Sequence, residues 1–296
     1  MNIIPAKSCK LTDTQASIER KQCGIFEVSC CKGKISCLIV AEEDDQLGRQ
    51  PGQPLWPVRY DLEALASIER TVGSYVWSAL YQQRPAPITG NILKRHWFRY
   101  WRPKNRVLAP VMMRLPDGSQ LQLQSVELPD RFDDLLQSWD MSFKDTQSSA
   151  YVVGQVWGRK GADRFLLDQH RERLDFPGTI RAVRAISQKW PWARRKLVED
   201  KANGSAVIAS LQHEIGGFIP IEPEGGKEAR CHAITSQVES GSVFVPDPRQ
   251  AGWVSSFLDE CVSFPSGRND DQVDAMTQLL NYCRQRIRLR NRTFGF

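Results

Sequence analysis

An α/β fold, with a mixed sheet flanked by helices, is the class this sequence predicts, and three observations predict it. Strand-like segments follow one another directly at residues 137–144, 151–157 and 164–168, the last two joined across the turn-forming Gly158, Arg159, Lys160 and Gly161. Beyond them, helical and strand periods alternate towards the C-terminus, so the sheet is antiparallel where hairpins join its strands and parallel where helices carry the crossovers. Carboxylates stand at three places that such a topology brings together: Asp140, the pair Glu199 and Asp200, and the run from Asn269 to Asp274.

Residues 1–34 carry no clear helical or strand period, and the pentapeptide Ala-Ser-Ile-Glu-Arg at 16–20 recurs at 66–70 with nothing repeated around it. From 41 to 87 the chain is acidic, then dense in Gly48, Pro51, Gly52, Pro54 and Pro57, then helical at 62–68 and 75–81. That composition marks a connector whose short helices dock through Trp56, Trp77 and Tyr81. Segments 107–115 and 121–128 flank Pro116, Asp117 and Gly118, a hairpin signal because Asp-Gly tolerates the positive φ of tight turns. After the three central strands, Ile180, Val183, Ile186 and Trp190 keep a helical period that Pro191 ends.

A short buried strand then closes on Glu199 and Asp200, and Asn203 with Gly204 opens a helix at 206–211. Strands at 218–221 and 243–245 alternate with helices through 229–238, 253–262 and from about Asp270. The order β-β-β-α-β-α-β-α is the connectivity of a ribonuclease H-like domain. It divides the chain into an atypical N-terminal segment at 1–40, a linker with a small β-hairpin element at 41–130, and the ribonuclease H-like domain at 131–296.

The composition narrows the function. A net charge of +6, and an arginine at every second position from Arg284 to Arg292, suit a polyanion such as nucleic acid. Cys9, Cys23, Cys30, Cys31 and Cys37 crowd the N-terminus without a CxxC pair or nearby histidine, which argues against zinc and for free thiols in a reducing compartment. His96, His170, His213 and His232 sit in no ligand-like or triad-like motif. Gly33 and Lys34 lack the rest of a phosphate-cradling loop, so no ATP hydrolysis is expected. The longest apolar run, 38–41, is too short to cross a bilayer, and no signal peptide precedes it, so the expected location is cytoplasmic.

Carboxylates therefore carry the chemistry. Magnesium or manganese prefers hard oxygen ligands, and phosphodiester hydrolysis with two such ions about 4 Å apart needs acids that hold both while leaving room for water and phosphate. Each acid also has a plain structural alternative. Asp140 could form a strand-end turn, Glu199 or Asp200 could cap the following helix, and Asp270 and Asp271 could simply favour a helix N-terminus. On a helical wheel Asp271 and Asp274 fall opposite the apolar face of Val273, Met276, Leu280, Cys283 and Ile287, which by itself describes a solvated acidic face. A helix sandwiched between two layers, with the small Ala275 allowing close approach, is the other arrangement.

Several stretches resemble the C-terminal nuclease region of the large terminase subunit of tailed phages. They are Ser138-Trp139-Asp140-Met141-Ser142-Phe143-Lys144, Tyr151-Val152-Val153-Gly154, Val198-Glu199-Asp200-Lys201-Ala202-Asn203-Gly204, Lys227-Glu228-Ala229-Arg230, and Phe264-Pro265-Ser266-Gly267-Arg268-Asn269-Asp270-Asp271-Gln272-Val273-Asp274-Ala275. Upstream, Gly52-Gln53-Pro54-Leu55-Trp56-Pro57 and Tyr81-Gln82-Gln83-Arg84-Pro85 are similar to that family's linker, so the resemblance spans about residues 38–288. It implies a metal-dependent endonuclease that cuts concatemeric double-stranded phage DNA, with portal protein and the small terminase subunit as further partners.

The resemblance also implies residue roles. Asp140, Glu199, Asp271 and Asp274 would hold two Mg2+ or Mn2+ ions, with Asp200 the alternative to its neighbour, and Lys144, Lys201, Lys227, Arg230 and Arg268 would meet the nucleic acid. Two features depart from the family pattern: only the last strand of an ATPase domain, near 37–40, precedes the linker, and Ala150 stands where an aspartate is common. The alternatives to this reading are an inactive prophage remnant that binds DNA or portal protein, and another nuclease of the same fold such as a junction resolvase.

Overall fold

The computed structural model of the chain describes residues 17–20, 26–30, 33–36, 38–41, 45, 47–72, 76–82, 92–115, 117–141, 151–200 and 202–293. It divides into two compact units, Met1–Thr89 and Gly90–Phe296.

In the first unit, β1 (Ser17–Arg20), β2 (Phe26–Cys30) and β3 (Gly33–Ser36) form an antiparallel sheet where the sequence shows no period. Strands of four or five residues are too short for alternation to stand out. The last four residues of the repeated pentapeptide form β1 at its first occurrence, and the whole of it lies in helix α1 (Leu62–Val72) at its second, so surroundings and not local propensity decide its conformation. Around α1, a small core of Ile39, Leu65 and Trp77 is buried, with Trp77 and Tyr81 stacked at 4.9 Å. Arg49 ties the turn-rich stretch together by donating to Leu38 O at 2.8 Å and to Asp45 at 2.6 Å. Of the strand expected near 37–40, residue 37 lies outside the described residues, and Val40 pairs with Pro54 in an isolated bridge.

The second unit opens with β4 (Arg99–Arg102), the hairpin β5 (Val111–Arg114) and β6 (Gln120–Leu123), and β7 (Val126–Glu127). Three long strands follow, β8 (Asp134–Met141), β9 (Val152–Lys160) and β10 (Asp163–Glu172). Next come α2 (Phe176–Lys189), β11 (Arg195–Glu199), α3 (Ala202–Leu211) and β12 (Phe218–Ile221). The chain then forms α4 (Lys227–His232), α5 (Thr235–Glu239), β13 (Val243–Pro246), α6 (Trp253–Ser263) and α7 (Asp271–Thr293).

Eight of these strands make one mixed sheet in the order β12-β11-β8-β9-β10-β13-β4-β7. Only the β8-β9 and β9-β10 pairs are antiparallel, so the carboxyl ends of β12, β11, β8, β10, β13, β4 and β7 share one edge of the sheet. The unit begins at Gly90, well before residue 131, because β4 pairs with β13 and extends the sheet with residues that the sequence assigned to a linker. The single helix expected at 229–238 is two short ones, α4 and α5.

Both faces of the sheet are covered. α7 packs on one, burying Val273, Met276, Leu279 and Leu280 against Leu136, Trp157 and Leu197. On the other face, α2 and α3 bury Val183, Ile186, Val207 and Leu211 against Trp139, Val156 and Val198. Asp175 starts α2 by accepting from Gly178 N at 2.7 Å, with Pro177 in the first turn. Strands covered twice are buried at nearly every position, so β8 buries Gln137, Ser138 and Asp140 as well as Leu136 and Trp139, and β11 buries Lys196 beside Leu197 and Val198.

Candidate functional site

Strand alternation decides which acids meet. Along β8, Leu136, Ser138 and Asp140 share the α7 face, while Trp139 and Met141 turn to the α2–α3 face. Along β11, Leu197 and Glu199 take the α7 face and Val198 the other. The parallel register pairs Val198 with Trp139, so Glu199, one residue on, lies beside Asp140 at the carboxyl edge. Asp200 is exposed and turns to α3, where its Oδ1 accepts from Ser205 Oγ at 2.6 Å. That helix starts close to the strand end only because residue 204 is glycine: a Cβ there would lie 2.2 Å from Glu199 O.

Helix α7 brings the third group of acids. Gln278 Nε2 donates to Ser138 Oγ at 2.9 Å and to Trp139 O and Leu197 O at 3.3 Å, and Ser138 Oγ donates to Ala275 O at 2.7 Å, fixing α7 to β8 and β11. Asp140, Glu199 and Asp274 consequently line one cavity of about 270 Å3, with Arg230 and Gln278 also in its wall. Asp271 is 5% exposed, and its carboxylate accepts the backbone N–H of Tyr151. The solvated face drawn on the helical wheel is therefore not what forms. α4 and the strand ends cover the polar side of α7 while its apolar side enters the core.

Basic residues of α4 meet these acids. Lys227 Nζ lies 2.5 Å from Asp270 Oδ2 and 2.6 Å from Asp274 Oδ2, and Arg230 Nη2 donates to Asp274 Oδ1 at 3.1 Å. Burial pulls the Lys227 ammonium down, but its two carboxylate partners outweigh this and hold it above the ordinary lysine value. Asp140, 7% exposed, is raised well above the ordinary aspartate range by burial and then by the charges of Asp274, Asp271 and Glu199. Asp271 is pushed up to about 6 by burial, Glu260 and Asp270. Burial raises Asp274 as well, against the pull of Lys227 and Arg230.

Among the described residues no three His, Cys, Asp or Glu side chains stand close enough to hold an ion as they are. The donor set nevertheless fits a hard divalent cation. It is all carboxylate, three of its members are held above their ordinary pKa by burial and mutual repulsion, and an ammonium already bridges two acids of α7. A cation bound by Asp274 would take the place of Lys227. Of the other residues expected at the site, Arg268 is exposed, while Lys144, Ala150 and Lys201 lie outside the described residues.

A family model described as "Terminase RNaseH-like domain" matches residues 137–282, the stretch that carries every acid above. These residues are a terminase RNase H-like domain. The terminase domain is similar to solved structures as well. The large terminase of a thermophilic bacteriophage, in complex with ADP, is 10% identical over 76% of this chain and 52% of its own, with a TM-score of 0.53. The same protein with ATP-gamma-S gives 11%, 76%, 53% and 0.51. The large terminase nuclease of the thermophilic phage G20c with bound magnesium is 16% identical over 66% of this chain and 98% of its own, at 0.44. The likeness to the ADP-bound terminase is one of fold, and the chain spans about half the length of that protein. No match was found among curated proteins.

Two residues near the acids were not singled out from the sequence, Glu260 and Arg171, and Tyr151 was named only as part of a matching stretch. Glu260 is the one with a signal that could have found it. It lies three residues after Phe257 at the margin of the apolar face of α6, where a lone acid needs an internal partner. No helix of the described residues is long and apolar enough to cross a membrane.

Proposed function

We propose that the terminase domain is a metal-dependent endodeoxyribonuclease which cuts concatemeric double-stranded phage DNA during packaging, in the cytoplasm of the infected host. The observation that carries this reading is the convergence of Asp140, Glu199 and Asp274 on one cavity beside Asp271, with Lys227 as a built-in counter-cation. Two Mg2+ or Mn2+ ions, when bound, would supply an activated water and stabilise the leaving oxygen of the phosphodiester. Asp140 and Glu199 from adjacent strands, with Asp271 and Asp274 from α7, are the residues that would hold them.

The chain's own groups do the remainder. Lys227 and Arg230, both paired with Asp274, are the groups that would turn towards phosphate were a metal to occupy that carboxylate. Exposed Arg268, with Lys144 and Lys201, would extend the phosphate contacts along the strand. The packing of α7 against β8 and β11 through direct hydrogen bonds of Gln278 keeps the acids in register. By the same reading the portal protein and the small terminase subunit are partners.

Incubation of the purified chain with supercoiled plasmid tests this. Nicking that requires Mg2+ or Mn2+, does not need ATP, and is lost in Asp140→Asn with unchanged circular dichroism is the outcome expected. Cleavage by Asp140→Asn at near wild-type rate would overturn the site assignment, and a chain that binds DNA without cutting it in either metal would establish the inactive remnant instead.

A further inference from the structure

Glu260, on α6, is a buried carboxylate that the cleavage chemistry does not use, being 7% exposed. Its Oε1 accepts the backbone N–H of Gln272 at 2.7 Å, in the first turn of α7. Its Oε2 accepts from Gln272 Nε2 at 2.6 Å and from Arg171 Nη2 at 2.9 Å. The Arg171 guanidinium lies 4.0 Å from the centroid of the Tyr151 ring, and the Tyr151 backbone N–H donates to Asp271. Glu260, Gln272, Asp271, Tyr151 and Arg171 thus close a ring around one carboxylate.

A second arm enters from the sheet. Trp157 Nε1 donates to Gln155 Oε1 at 3.0 Å, Gln155 Nε2 to Gln169 Oε1 at 2.9 Å, and Gln169 Nε2 to Gln272 Oε1 at 2.7 Å. All of these donors point the same way, towards Gln272, whose own amide donates to Glu260. A chain of one-way donors needs an acceptor without a proton to give at its end, and a carboxylate is that group. An amide at 260 would turn its NH2 towards either Gln272 or Arg171, both of which are donors.

We propose that Glu260 is the positioning residue for Asp271, fixing the start of α7 so that this carboxylate keeps the geometry a small divalent cation demands. The inference rests on the metal-dependent reading of the site. Mg2+ requires near-ideal octahedral coordination and tolerates displacement poorly, while Ca2+ accepts irregular shells of six to eight oxygens. Loosening Asp271 should therefore cost Mg2+ far more than Ca2+, whereas a general loss of structure would weaken both alike.

Calorimetric titration of the full chain with Mg2+ and Ca2+ in the absence of DNA tests this. Glu260→Gln should lower Mg2+ affinity by about tenfold, the lower end for removing a residue that orients a ligand, and leave Ca2+ affinity within about twofold. Arg171→Met removes the other arm of the ring without touching the carboxylate, and it should shift the Mg2+/Ca2+ ratio in the same direction by about threefold. It carries the test if Glu260→Gln does not fold. An unchanged ratio in the folded variants overturns the positioning role even where both affinities fall. A wild-type chain that binds neither ion overturns the metal-dependent reading itself, and the positioning role with it.

Discussion

Asp271→Asn tests the electrostatics of the site most directly, because it keeps the shape of the side chain and removes only its charge. The amide oxygen can still accept the Tyr151 N–H, so packing is largely conserved. In the folded chain Asp271 titrates at about 6, raised from 3.8 by burial, Glu260 and Asp270. At about 1.4 kcal/mol per tenfold change in proton affinity, that rise costs the ionised wild type about 3 kcal/mol, and solvent screening reduces this to about 2 kcal/mol. The sign follows from linkage. Below pH 3.8 both folded and unfolded chains hold the proton and nothing is lost; between 3.8 and 6 only the folded chain holds it, so wild-type stability falls as pH rises; above 6 the full cost is present. The variant escapes that cost. In EDTA at pH 8 it should melt roughly 4–8 °C above wild type, and the difference should vanish near pH 4. Adding Mg2+ should stabilise the wild type and leave the variant unmoved. A variant that melts below wild type at pH 8 in EDTA would refute the claim that repulsion and burial, not packing, dominate at this position.

Lys227→Met should tighten Mg2+ binding to the DNA-free chain by about tenfold, because the ion no longer competes with an ammonium 2.6 Å from Asp274. The same variant should bind duplex DNA with a salt slope reduced by about one, read by anisotropy in Ca2+; weaker Mg2+ binding would show that the lysine assists the metal and does not stand in for it. Glu199→Gln should lower metal affinity with little change in melting temperature, since its carboxylate lines the cavity. Asp200→Asn should do the opposite, losing about 1 kcal/mol of stability as a helix-start contact while sparing cleavage. Titration of both variants decides between the neighbours, and the reversed pattern would exchange their roles.

The elements from residue 134 to 199 were legible because local signals agree with the fold: the buried pair Leu197-Val198, the turn at Gly161, and the helical period of Ile180, Val183 and Ile186 that Pro191 ends. β4 was not. Its sequence Arg-Tyr-Trp-Arg has no local turn partner, and its neighbour β13 lies more than a hundred residues on, so only the assembled sheet makes it a strand. In the site, Asp140 and Glu199 could be placed because strand alternation and parallel register fix their face. Burial of Asp271 and Asp274 could not be read, because a helical wheel separates the two sides of a helix without saying whether water or protein lies on the polar one. The answer came from α4, whose Lys227 and Arg230 make a second layer.

That second layer explains how so many acids are tolerated at one edge. Asp274 has two cations on it and is still raised, so burial outweighs both partners. Asp140 has less help: burial raises it first, Asp274, Asp271 and Glu199 raise it further, and Lys227 alone among the leading influences lowers it. The site thus carries its acids in two ways, with lysine and arginine on Asp274 in the first turn of α7 and with burial that disfavours the charged form of Asp140 near the end of β8. On the proposed function a divalent ion would displace Lys227 from Asp274, so metal affinity should depend on pH through Asp271 and on DNA through Lys227. On the same reading phosphate would offer Lys227 a new partner once a metal took Asp274, which would make metal and DNA mutually favourable occupants of one edge of the sheet.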